Sequence, residues 1–526
     1  MKKFLISTII LIFGYSFSFG NGLTLSNISV NQGAGLISCN VQWNNSWRVS
    51  GEPKNYDAVW VFVKFRDCAE QTGVQFSHGL ISTTITDHTL GTLEAVKADG
   101  TAGVDVAPNN TGIMLRRNAV GIYPAAVATN IILKVTNLPA VGNLDIRVFG
   151  IEMVYIPSGD YYLGDGTVGD NDAQFKTSNV NSSPILITGE GAVQVYTGTV
   201  VTNSSYFFNN TNIPAEFPKG HNAFHIMKYE ITQQQYADFL NTTSSAFWNI
   251  RYDAANSGLY RNRLTSGGTY PNFFYSSRPY RAQNYLSWAD ISAFLDWAAL
   301  NPMSELQYEK ACRGPQAYFT GEYAWGNTFI TKADQINQEN EDGTEITGVG
   351  NCVYNQSVVI TGGDASQGPM RAGIFATAAT TTREATGATY YGVMEMTGNV
   401  LEWCVMAIPA TSVAPAPNPT AFTRQLWGDG ILDNTGNADV TGWPSPTSVT
   451  DCRTMVRGGH WYSVTYPLFV PISSRNFALL TSTNWNYDVI TGANNVYIAT
   501  TNPPHTNVNT YKPNGRNPHI GGRGVR

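Results

Sequence analysis

The run Ala58-Val59-Trp60-Val61-Phe62-Val63-Lys64-Phe65 is β-branched and aromatic almost without a break. Side chains of this kind suit a pleated surface, so the run predicts a strand. Leu36-Ile37-Ser38-Cys39-Asn40-Val41-Gln42-Trp43 is a second such run. Asn130-Ile131-Ile132-Leu133-Lys134-Val135 is a third, and Leu144-Asp145-Ile146-Arg147-Val148-Phe149 a fourth. Gly, Asn and Pro clusters separate them, and no helical period interrupts them. Short strands at this spacing predict an antiparallel β-sandwich over residues 21–148. Trp43 and Trp47, in the link after the second run, are expected in core and corner packing.

From Ile151 the texture changes. Thr232 precedes Gln233-Gln234-Gln235, Ser287 precedes Trp288-Ala289-Asp290, and Ser304 precedes Glu305-Leu306-Gln307. Each places a hydroxyl before a helix and a side chain three residues on that can reach back, which predicts three capped helices. Trp288, Ile291, Leu295 and Ala298 fall on one face of the second, so that face should meet a core. Beyond Arg313 the chain is loop-rich and studded with Gly. No internal repeat of 20–50 residues is present. A chain of 526 residues leaves room for two to four domains, and the pattern as a whole predicts an α+β fold.

Only 13% of residues are charged, against about 25% in an ordinary soluble domain. The net charge is −6, which argues against an electrostatically driven nucleic-acid binder. Lys2 and Lys3 precede an apolar run from Phe4 to Phe17, and Ser18 and Gly20 are small residues at a cleavage site. Residues 1–20 therefore read as a secretory signal peptide. No Cys follows the run, so a bacterial lipid-anchor pattern is missing, and no later apolar stretch is long enough to span a bilayer. Export permits disulfides among Cys39, Cys68, Cys312, Cys352, Cys404 and Cys452. If pairing respects the two regions, Cys39–Cys68 is one bridge, and the other four leave three connectivities open.

Familiar catalytic patterns are missing: no G-x-S-x-G elbow, no phosphate-cradling Gly-Lys-Ser/Thr loop and no H-E-x-x-H. His221 and His225 are spaced by four, but in a Gly-Asn-rich lead into a strand. Glu305 and Glu309 share a helix face and are expected to be solvated or capping rather than an acid/base pair.

Eight blocks carry a resemblance, in order. Glu152-Met153-Val154-Tyr155-Ile156-Pro157 is the first, and Phe224-His225-Ile226-Met227-Lys228-Tyr229-Glu230-Ile231-Thr232 the second. Ser287-Trp288-Ala289-Asp290, then Pro302 to Gly314, then Tyr323-Ala324-Trp325-Gly326 follow. Gly392-Val393-Met394-Glu395-Met396-Thr397-Gly398-Asn399-Val400-Leu401-Glu402-Trp403 is the most specific. Val456-Arg457-Gly458-Gly459-His460-Trp461 and a closing Gly524-Val525-Arg526 complete the set. Residues 149–526 thus resemble the formylglycine-generating enzyme family, the sulfatase-modifying factor domain. The resemblance implies a variant of the C-type lectin fold with much irregular backbone.

Catalytic members of that family carry two Cys just after the Arg-Gly-Gly segment, and their thiolates bind copper(I), a soft ion that wants soft ligands. Here the segment continues Tyr462-Ser463-Val464-Thr465-Tyr466-Pro467-Leu468. The first Cys position falls near Ser463 and the second near Pro467 or Leu468, and no Cys follows Cys452. No copper and no catalytic residue are therefore expected. The resemblance also implies a structural Ca²⁺ on Glu395, Gly398, Val400 and Glu402, with Asn351 at a further site; calcium takes 6–8 oxygens. In the tail from Leu479 to Pro518, Trp485, Tyr487, Tyr497 and Tyr511 would form a binding or assembly face. The expectation is an exported, non-catalytic binding or structural protein, secreted or at the surface of a bacterial cell. Its two-part layout is similar to exported Bacteroidetes-type proteins. Its partners would be an extracellular protein, a glycan or copies of itself. The alternative is a metal-dependent oxidoreductase with a displaced thiol, Cys404 or Cys452.

Overall fold

The structure, a computed structural model, describes residues 17–19, 22–69, 73–167, 174–178, 183–201, 204–337, 341, 343–356, 360–377, 379–408, 421–445, 453–462, 470–475 and 516–526. Ser463, Pro467, Leu468, Cys452 and the expected tail residues Trp485, Tyr487, Tyr497 and Tyr511 lie outside the described residues, as do residues 1–16.

The strand Asp57–Asp67 organises the molecule, and its period of two explains how. Val59, Val61, Val63 and Phe65 point to one side, into a cluster with Leu23, Leu25, Ile37, Val41, Ile131 and Leu133. Ala58, Trp60 and Phe62 point to the other, into a larger cluster with Phe149, Phe239, Phe294 and Trp297. One strand thus lines two cores, so neither of its faces is left to solvent. The first cluster is closed by a facing antiparallel sheet of Phe17–Phe19, Leu23–Asn31, Leu36–Gln42 and Thr129–Lys134.

Asp57–Asp67 pairs antiparallel with Ile113–Arg117 on one edge and Leu144–Ile156 on the other. Leu144–Ile156 then pairs with Phe224–Met227, with Met153 opposite Met227. The eight-stranded sheet so formed ends at Gly524–Val525 and Asn301–Pro302. The division expected at residues 148/149 falls inside the strand Leu144–Ile156. Gly150 faces the N-terminal sheet; a Cβ there would stand 3.2 Å from both Leu23 and Leu25, and the lack of a side chain lets the sheets close.

The fold is mainly β with few helices. Helix α1 spans Gln233–Thr242, α2 Ser245–Arg251, α3 Trp288–Trp297 and α4 Glu305–Arg313. Thr232, Ser287 and Ser304 cap α1, α3 and α4 with reciprocal capping boxes. Every residue of α3 is buried, not only the face of Trp288, Ile291 and Leu295. Between Arg313 and Leu401 the only described helix or strand is the one-turn helix Arg383–Thr386.

Two expectations need correction. Cys39 and Cys68 are both free. Cys39 faces the closed core between the sheets, while Cys68 is exposed just past the end of the strand Asp57–Asp67, so the two thiols do not meet. Cys312, Cys352 and Cys404 are free as well. Glu305 and Glu309 are buried rather than solvated. Glu305 accepts from Arg475 Nε at 2.6 Å and Arg457 at 3.2 Å, and Glu309 accepts from Arg313 at 2.9 Å and Arg457 at 3.1 Å. The arginines neutralise a helix face that would otherwise bring bare carboxylates into the interior.

Candidate functional site

The block Gly392–Trp403 forms a turn held from all sides. Trp47 of the N-terminal region lies against Gly392, where a Cβ would come within 3.0 Å of its ring. Asn55 joins the two regions, donating to Tyr391 O at 2.7 Å and accepting from the Trp47 indole at 3.1 Å. At Gly398 the backbone is left-handed, φ +86°, and a Cβ would stand 2.5 Å from Cys352 Sγ. Only glycine meets both demands. Asn399 N–H donates to Val353 O at 2.9 Å, and its Oδ1 accepts from Met370 N at 2.8 Å. Val400 N–H donates to Glu230 at 3.1 Å. The chain then enters the strand Leu401–Val405, antiparallel to Thr454–Arg457 and parallel to Ile520–Gly521. Trp403 anchors it by donating to Leu286 O at 2.9 Å.

Three buried carboxylates, Glu230, Glu395 and Glu402, surround one buried guanidinium, that of Arg523. Arg523 donates to Glu402 through Nε at 2.8 Å and Nη2 at 2.6 Å, a bidentate pair. Its remaining protons go to the carbonyls of Met227, Lys228 and Met394. Burial raises all three acids. Glu230 stands well above the usual carboxylate range, and Glu395 is pushed up to about 7. Glu402 is raised as well, with Arg523 opposing the rise. Glu395 Oε1 accepts from Gly373 N at 2.8 Å, while Oε2 is buried without a hydrogen-bond partner.

This is where the resemblance placed calcium. Glu395, Gly398, Val400 and Glu402 do share one turn, and Asn351 precedes the Cys352–Val353 segment that touches it. The donor set does not fit a cation at Glu402, however. Both its oxygens are engaged by Arg523, which supplies the positive charge itself. Asn351 Oδ1 accepts from Thr331 N at 2.8 Å, away from the turn. The N–H groups of Gly398 and Val400 donate to Gly458 O and Glu230.

Among the described residues, one group of three acids brings its oxygens within 4.8 Å of one another: Asp296, Asp429 and Asp439. Asp296, near the end of α3, is buried and accepts from the backbone N–H groups of Asp429 at 3.1 Å and Asp439 at 3.3 Å. Burial, then the two neighbouring acids, push it up to about 8. The buried Lys64 ammonium, lowered to about 7 by burial, lies within electrostatic reach of Asp296 and Asp429 and balances the group. Nothing local in the sequence marks this cluster, because Asp429 and Asp439 follow Asp296 by more than a hundred residues.

After Arg457 and Gly458, the rings of His460 and His519 meet at 4.2 Å, tilted by 32°, next to Trp461. Burial lowers His460 well below the usual imidazole range, so it is neutral. His221 and His225 do not converge: His221 meets Asp160 at 3.1 Å, whereas His225 is buried against Tyr56 and Ala98 O. Every described thiol is held in its neutral form. Burial pushes Cys39 up to about 12, and raises Cys312, Cys352 and Cys404 as well. Cys68, the exposed one, is also raised. None has thiolate character for attack or copper ligation. No helix among the described residues is long and apolar enough to cross a membrane.

Residues 150–485, more than half of the chain, match the family described as sulfatase-modifying factor enzyme 1-like domain. No curated protein matches. Among solved structures, Treponema denticola variable protein 1 is similar at 13% identity and a TM-score of 0.27, over 67% of this chain and 98% of that one.

Proposed function

Because the chain belongs to the sulfatase-modifying factor enzyme 1-like domain family, we propose that it is an exported member that has kept the scaffold and lost the catalysis. Its work is binding or building outside the cell. One observation carries the reading: the segment after Arg457-Gly458-Gly459 holds Ser463, Pro467 and Leu468 where catalytic relatives hold two Cys, and no Cys follows Cys452. A hydroxyl is neither soft nor acidic enough to replace a thiolate on copper(I). The displaced-thiol alternative is disfavoured at Cys404, which lies buried in a neutral form. Export is supported by the Lys2-Lys3 start, the apolar run to Phe17 and the small residues Ser18 and Gly20. The N-terminal region, read as a sandwich, acts as a mount that presents the family domain. A structural Ca²⁺ is no longer part of this reading at Glu402, for the reason given above.

The test is direct. The secreted protein, loaded with copper(I) under reducing conditions, is incubated with a sulfatase-type Cys peptide and the peptide is mass-mapped. The expected result is unchanged peptide. Aldehyde product would overturn the reading.

A further inference from the structure

A cavity of about 590 Å³ opens where the N-terminal region meets the family domain, remote in sequence from the missing Cys positions. That volume falls within the range of small-ligand sites, roughly 300–1,000 Å³, and a seam between two regions is a common place for one. One wall is the loop from Lys97 to Asn109. The opposite wall brings Arg424, Gln425 and Trp427, and the floor includes Asn222 and Arg526.

The charges on this wall are not all matched. Arg526 is paired with Asp105 at 3.2 Å and stacks on Trp60 at 3.8 Å and on Trp427 at 4.6 Å. Asp99 accepts from Thr101 N and Oγ1, beside Lys97. Arg424, by contrast, has no carboxylate within ion-pair distance among the described residues; what faces it is the amide of Asn222. A planar guanidinium whose charge meets only a neutral amide is suited to a carboxylate. The rest of the lining is rich in groups that both donate and accept, the amides of Asn109, Asn222 and Gln425. The Trp427 indole N–H is buried with no acceptor among the described residues. An apolar ligand would strip water from these groups and return nothing. A ring bearing several hydroxyls and one carboxylate would satisfy them, and Tyr155 and Trp427 offer aromatic carbon to its C–H faces.

We propose that this cavity binds a carboxylate-bearing sugar residue, a uronic or sialic acid, of an extracellular oligosaccharide, with its carboxylate on Arg424 and its hydroxyls on the surrounding amides. The inference rests on the binding reading of the protein and gives it a ligand class.

Calorimetric titration of the full secreted chain tests it, with trigalacturonate, a hyaluronan tetrasaccharide and sialyllactose as acidic probes. Maltotriose serves as the neutral probe and tetraglutamate as an acidic peptide. At least one acidic saccharide should bind, and Arg424→Gln should weaken it tenfold or more without moving Tm, since Arg424 is exposed. Lys97→Gln should weaken it less. The proposal is overturned by failure of all three acidic saccharides at millimolar concentration, by equal binding of maltotriose, by competition from tetraglutamate, or by full affinity in Arg424→Gln. Its failure is separable from that of the non-catalytic reading: a negative titration with unchanged Cys peptide sinks only the ligand, whereas aldehyde product sinks the parent reading whatever binds.

Discussion

Replacing Arg523 by Met tests the charge arrangement at the heart of the family block. Met fills much of the same space, so the loss is chiefly electrostatic. The variant loses both bonds to Glu402 and the three to the carbonyls of Met227, Lys228 and Met394. Glu402 stays in place, 1% exposed, with Glu230 and Glu395 beside it and no guanidinium. Removing one partner of a buried pair costs about 3–5 kcal/mol, because the other charge is left uncompensated. With the usual unfolding entropy per residue over a cooperative unit of several hundred residues, that lowers Tm by about 4–6 °C. The loss should depend on pH. Without Arg523 nothing opposes the rise that burial imposes on the Glu402 pKa. The folded state then holds a proton that the unfolded chain releases near pH 4.5, so the variant loses stability as pH rises from there. The deficit against the parent protein, read by near-UV circular dichroism melts, should be smaller at pH 5 than at pH 8. The double variant Arg523→Met/Glu402→Met should regain much of the loss. A deficit below about 1 °C, or equal deficits at the two pH values, would refute the argument.

Two further outcomes follow from the same interior. Glu395, pushed up to about 7 from 4.5, holds a proton in the folded state that the unfolded chain loses, so its stabilising contribution fades as pH climbs from about 4.5 to 7. Glu395→Gln lacks that proton, and the Tm difference between variant and parent should shift in the variant's favour across this window; a flat or opposite trend would count against the burial of Glu395. Alkylation of the native protein should label Cys68 and spare Cys39, Cys312, Cys352 and Cys404 until denaturant is added. A Cys39–Cys68 bridge in non-reducing mass maps would show the placement of Cys39 to be wrong.

What the sequence disclosed was local. A capping box needs only a hydroxyl and a side chain three residues on, and all three expected at Thr232, Ser287 and Ser304 form. The near-continuous β-branched and aromatic run of residues 58–65 correctly indicated a strand, but not that both its faces would be covered. The pairing of Glu402 with Arg523 joins residues 121 positions apart, and no periodicity reports such a partner. Glu305 and Glu309 read as solvated or capping because acids four apart on a helix usually are; Arg457 and Arg475 reach them from segments more than 140 residues away. The low charge content hid a similar fact. Arg261, Arg281, Arg313, Arg457, Arg475 and Arg523 rank among the largest fully buried side chains, so much of this small complement works inside rather than on the surface.

The long ladder between Asp57–Asp67 and Leu144–Ile156 has a mechanical meaning. Trp60 and Phe62 belong to the larger core, so truncation at residue 149 would strip one wall from that core. Tension applied across the two halves would load many rungs of that ladder in shear, where they resist together, instead of stretching a tether. A molecule anchored by one half and gripped by the other would transmit force as a single stiff body.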